Sequence, residues 1–119
     1  MSLEIEKRHK LSADNLSEEE FNKNPNNLVP PELLNNIGVL RLEQSQNLKF
    51  INESESKKKS GESLKAFEKA LHNIELLQTI HGESNKLQSL KISVIFNMAY
   101  WYETDHKYDK ASSLYKQVT

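Results

Sequence analysis

The chain has 119 residues, 16 Lys and Arg against 17 Asp and Glu, a formal net charge of -1 and no cysteine. That length leaves room for one domain with a modest core, and near-neutrality supplies no overall field toward phosphate backbones or anionic lipid. The missing thiols exclude disulfide frameworks, thiol catalysis and zinc sites built on thiolates.

The N-terminus, "MSLEIEKRHKL", carries charges where a secretory signal needs an apolar run. No segment approaches the about 20 apolar residues that span a bilayer. A soluble intracellular chain without membrane contact is expected. Residues 1–28 read as a weakly helical or linker segment: Leu3, Ile5, Leu11 and Leu16 can share one helix face, Ser17 and Glu20 match a capping box, and "NKNPNN" is linker-like. Apolar spacing elsewhere is helical, with only three glycines and three prolines, so an all-α fold follows.

Pro31 suits the first turn of a helix because its missing amide hydrogen is not needed there, while Pro30 keeps Val29 extended. The expected buried stripe is Leu33, Leu34, Ile37, Leu40 and Arg41. From Gln44 to Ser63 the composition turns to Ser, Asn, Glu and Lys, and an exposed loop is expected over about 46–62. A second helix carries Leu64, Phe67, Ala70, Leu71, Ile74 and Leu77 and ends near Gly82. The third starts at Ser84 or Asn85 and places Leu87, Leu90, Val94, Ile95, Met98, Trp101 and Tyr102 on its buried side. After the polar turn "DHKYD", a fourth bears Ala111, Leu114, Tyr115 and Val118.

An internal repeat links these helices. Leu34, Ile37 and Gly38 match Ile95, Met98 and Ala99 in spacing, with Asn36 and Asn97 each on the same turn; Ser63, Phe67 and Ala70 match Ala111, Tyr115 and Val118. The pattern resembles the tetratricopeptide repeat, a helix pair of about 34 residues with W-x2-L-G-x2-Y followed by A-x3-F. The resemblance implies two divergent helix pairs over 29–119, one at 31–77 containing the loop and one at 85–119. Small residues on paired helices, Gly38 facing Ser63 and Ala99 facing Ala111, allow close approach, with Phe67, Tyr102 and Tyr115 as aromatic plugs and Ala70 beside them. Arg41 stands where the repeat has Tyr. Since about three or more repeats usually make a stable stack, the chain is expected to be a piece of a longer α-solenoid whose open ends self-associate.

"VPPELLNNIGVL" and "NMAYWYE…ASSLYK" go further. They resemble the family of large tetratricopeptide scaffold subunits of the RNA polymerase II-associated factor complex, in which PPE-x-LNN-x-G-x-L precedes YN-x-A-x-x-YE and A-x-x-LYK. Pro30, Pro31, Glu32, Leu34, Asn35, Asn36, Gly38 and Leu40 match, then Asn97, Ala99, Tyr102, Glu103, Ala111, Leu114, Tyr115 and Lys116. That resemblance implies a nuclear, non-catalytic scaffold binding other subunits of a transcription elongation complex and supporting histone modification, with no cofactor.

The repeat also implies a groove on the first helix of each pair. Asn35, Val39, Leu42, Phe96, Tyr100 and Glu103 are the expected partner-binding residues, with Glu32, Glu43 and Ser93 beside them. Chaperone-binding relatives clamp a C-terminal carboxylate with Lys, Arg and Asn; Lys and Arg are missing here, so an apolar strip for an extended or helical partner segment is expected instead. Neighbouring repeats or the N-terminal segment are alternative covers for it, and an adaptor of another tetratricopeptide family is the alternative function.

The remaining candidates read as structural. His9, His72, His81 and His106 form no H-E-x-x-H or i, i+4 pair. "SGESLK" lacks the spacing of a phosphate loop. The run Lys57 to Lys59, beside Glu53 and Glu55, reads as a solubilising tract, with Ser54, Ser56 and Ser60 as phosphorylation candidates. Trp101 is expected in the core.

Overall fold

The structure is a computed structural model that describes residues 28–119, and within them every regular element is a helix. The weak helix, the capping box and the linker read from the first 27 residues lie outside the described residues. Four helices follow one another: α1 at Pro31–Leu48, α2 at Glu53–His81, α3 at Asn85–Thr104 and α4 at Tyr108–Gln117.

Helix α1 begins where the prolines put it. Pro31 occupies the first turn, and the Pro30 carbonyl accepts from the amides of Leu33 (3.1 Å) and Leu34 (3.2 Å). Its buried line differs from the expected one. Pro31, Asn35, Gly38, Leu42 and Ser45 face inward, while Leu33 and Leu40 are 49% and 47% exposed. The cause is Gly38. A Cβ there would come within 3.0 Å of the Phe67 ring, so the helix turns this position toward α2 and carries Asn35 and Leu42, one turn either side, inward with it.

The expected loop over 46–62 is instead helix on both sides of a tight turn. α1 continues to Leu48, whose carbonyl accepts from Ile51 and Asn52, and α2 starts at Glu53 under an Asn52 cap that accepts from the Glu55 amide at 3.1 Å. Two features order this polar run. Lys57 with Glu53 (4.0 Å), on the outer surface, and Lys59 with Glu55 (3.9 Å), partly buried, are i, i+4 pairs. Inside, Ser45 and Ser56 each donate to the other's backbone carbonyl at 2.7 Å, and Ser63 donates to the Gly38 carbonyl at 2.6 Å.

Those contacts have a common period. Ser45 with Ser56 and Gly38 with Ser63 are bonded, and one further seven-residue step on each helix reaches Pro31 and Ala70, also buried. The α1–α2 seam is thus an antiparallel line of small residues whose hydroxyls bond to the facing backbone. Because α2 is longer than α1, it runs past Pro31; there the Asn73 amide nitrogen donates to the Val29 carbonyl at 3.0 Å, tying down the approach to α1.

Helix α3 begins at a Ser84 cap that accepts from the Leu87 amide at 3.1 Å. It buries Val94, Ile95, Met98, Ala99, Trp101 and Tyr102, as its spacing predicts, and packs against both α1 and α2. The core joins Leu42, Phe67, Ala70 and Ile74 to Val94, Met98, Trp101 and Tyr102, and then to Ala111 of α4. Phe67, Ala70, Ile74 and Val94 have no exposed surface, and each large side chain buried this fully is worth about 1.5–3 kcal/mol. Trp101 is core as expected, and its Nε1 donates to the Ser60 carbonyl at 2.9 Å, pinning α3 to the part of α2 expected to be loop.

The α3–α4 turn is closed by backbone geometry. Lys107 N–H reaches the Tyr102 carbonyl (2.9 Å) and His106 N–H the Glu103 carbonyl (3.1 Å), with His106 at a φ of 62°. This is a Schellman stop with His where Gly is usual. Ala111 is the buried residue of α4, with Leu114 and Tyr115 partly covered.

Candidate functional site

The six expected groove residues divide into two groups. Val39, Phe96 and Tyr100 are 45%, 50% and 45% exposed, a large apolar surface for three side chains, and Glu103 is exposed beside them. Leu42, 6% exposed, lies at the bottom of the groove, whereas Asn35, 8% exposed, is not a groove residue. Leu42 belongs to the core, and the Asn35 side-chain oxygen accepts from the Asn97 amide at 2.9 Å, clasping α1 to α3. The inward turn at Gly38 explains why Asn35 leaves the groove and why Leu42 sits at its base.

The two first helices lie side by side, and Val39 of α1 meets Tyr100 of α3 across an open depression of about 300 Å³. Leu42 and Phe67 form its apolar base, with Asn97, Glu43 and Gln46 completing the lining. Its walls are therefore rigid where the core forms them and adaptable where exposed side chains do. One turn before Tyr100, Phe96 stacks edge-on against Tyr115 at 5.1 Å between centroids. The Tyr115 hydroxyl donates to the Glu103 carboxylate at 2.9 Å. Partial burial first, then that hydrogen bond and the carboxylate charge, hold the Tyr115 hydroxyl above the ordinary tyrosine range. Glu103 is consequently held toward α4, where it lines a separate shallow depression with Tyr108, Tyr115 and Lys116.

The helix-packing residues all lie inside or against the core. Ser63, Phe67, Ala70 and Ala99 are fully buried, Ala111 and Tyr102 are 3% and 7% exposed, Gly38 is buried, and Tyr115 is half-buried. Lys110 lies over the Tyr102 ring at 4.9 Å, covering its remaining surface.

A second, larger depression of about 610 Å³ lies where the α1–α2 and α3–α4 turns meet, lined in part by Lys49, Phe50, Ser60, Thr104 and His106. Phe50 and the adjacent Ile51 are 93% and 80% exposed, the most exposed large apolar pair among the described residues. Reading the segment as loop missed this; the signal was two adjacent apolar residues in an otherwise polar run.

The described histidines have local roles or none. His106 Nδ1 is 2.9 Å from the Tyr108 hydroxyl, and His72 and His81 stand on the exposed surface. His9 lies outside the described residues. No group of three or more His, Asp or Glu gathers among the described residues, and no helix among them is long and apolar enough to cross a membrane.

What these features define, among the described residues, is an all-helical fold with an exposed apolar groove between two neighbouring helices. Compared with protein-family models, curated proteins and solved structures, the chain matches none of them.

Proposed function

We propose that this chain is a non-catalytic protein–protein interaction scaffold built of tetratricopeptide-type hairpins. In this reading it is part of the large scaffold subunit of the RNA polymerase II-associated factor complex. It would act in the nucleus, holding other subunits on elongating polymerase and supporting histone modification. The observation that carries the interaction reading is the Val39–Tyr100 depression, an apolar concavity shared by the first helices of two successive hairpins. The hairpin reading rests on the small residues Gly38, Ser63, Ala99 and Ala111, buried where a tetratricopeptide pair needs close approach. The complex itself is proposed on the sequence motifs around Pro30–Leu40 and Asn97–Lys116.

Affinity capture from nuclear extract, read by mass spectrometry, tests it. Subunits of the polymerase-associated complex are expected with the wild-type chain and lost with Val39→Gln/Tyr100→Gln, while circular dichroism stays helical. Both replaced side chains are largely exposed and helix-compatible, whereas Phe96 is partly committed to Tyr115. Recovery of a chaperone or other cargo without those subunits would reject the assignment, and capture indifferent to the double variant would reject the groove.

A further inference from the structure

Resting on the interaction reading above, we propose that the Val39–Tyr100 depression takes one large apolar side chain from a partner segment whose adjacent residues are Lys or Arg. Size argues for a single anchor. About 300 Å³ is the small end of the about 300–1,000 Å³ range of ligand pockets, and the base is the apolar pair Leu42 and Phe67. Both belong to the packed core, so the seat is formed before a partner arrives, which limits the ordering cost of binding.

Charge argues for the flanks. Glu43 lines the depression, and its carboxylate has no ion-pair partner among the described residues. Three cations on or next to these two helices are engaged elsewhere. Arg41 is held by Glu62 at 3.2 Å and Gln44 at 2.9 Å, Lys49 lies over the Phe50 ring at 5.6 Å, and Lys86 pairs with Glu32 at 3.8 Å. An apolar seat with the Glu43 carboxylate in its wall selects a basic, apolar segment and disfavours an acidic one by leaving like charges together.

Fluorescence anisotropy on the full chain tests this with three short labelled peptides. One carries a central Phe flanked by Lys and Arg, the second the same Phe flanked by Glu, and the third the basic flanks around Ser. The first is expected to bind best, by about fivefold or more over each of the others, and to weaken as salt rises from about 0.05 to 0.5 M. Glu43→Lys should invert the preference between the basic and acidic peptides, and Val39→Gln/Tyr100→Gln should abolish the advantage of Phe over Ser. No binding of the first peptide at about millimolar concentration, equal binding of the acidic one, or a Glu43→Lys variant with unchanged preference would overturn the proposal. So would a concentration-dependent dimer dissolved by Val39→Gln/Tyr100→Gln, which would assign the seat to a second copy. If nuclear capture still depends on Val39 and Tyr100 while the peptides show no charge preference, the charge inference fails and the groove reading stands. If neither assay responds to that double variant, both fail.

Discussion

The Ser63 hydroxyl donates to the Gly38 carbonyl across 2.6 Å while the Phe67 ring fills the space a Gly38 side chain would need. Hydroxyl and ring, one turn apart on α2, both close on the same residue of α1. An alanine at Gly38 gains about 1 kcal/mol of helix propensity but must displace a ring with no exposed surface. Gly38→Ala is therefore expected to lower stability by about 1–3 kcal/mol, read as an earlier urea midpoint at unchanged slope. Phe67→Leu in the same chain should make the alanine less harmful; strictly additive losses would show that the two positions do not compete for space.

The same substitution one hairpin arm away should have the opposite sign. Gly61 lies inside α2, is exposed, and a Cβ there would meet nothing within 4 Å. Gly61→Ala is expected to raise stability by about 0.5–1 kcal/mol. A loss in thermal or urea unfolding would mean that α2 does not run continuously through this position.

Hydrogen exchange gives an independent view of the polar run. Amides from Lys57 to Gly61 are expected to be protected to a degree comparable with those around Lys65 to Lys69, since both stretches are interior to α2. Trp101, the one tryptophan, adds a local probe through its bond to the Ser60 carbonyl. Trp101→Phe should cost about 1 kcal/mol or more and raise exchange near Ser60. Exchange of Lys57–Gly61 at unprotected rates in the wild-type chain would contradict the helix.

The Asn35–Asn97 clasp should behave as a coupled pair. Asn97→Ala leaves the buried Asn35 oxygen without its donor, at a cost of about 1–3 kcal/mol. Once Asn35→Ala is present, replacing Asn97 as well should cost about 0.5 kcal/mol or more less than it does alone. A double-mutant cycle with no coupling would leave α1 and α3 held by apolar contacts only.

Much of the helical order was legible because its signals are local. Pro30–Pro31 fix the start of α1, Ser84 caps α3, Gly82 closes α2 with a φ of 81°, and the apolar spacing from Leu87 to Tyr102 names the buried side of α3. The run from Gln44 to Ser63 was not legible for a definite reason. Its buried face is made of serines, which score as solvent-loving, and they are buried only because a second helix presents carbonyls and Gly38 to them. One groove assignment failed for the same cause: Asn35 was placed there by repeat position, but the rotation of α1 depends on how closely Phe67 approaches.

Sequence alone determined that residues 31–118 are helical over most of their length and where α3 turns its apolar side, because capping, proline geometry and periodicity act within a few residues. Tertiary contact decided the rest: that α2 reaches back to Glu53, that Asn35 clasps Asn97, and that Val39 and Tyr100 face one depression. A hydroxyl or an amide has no fixed preference for water over protein until its partner is in place, so its burial is settled by what packs against it.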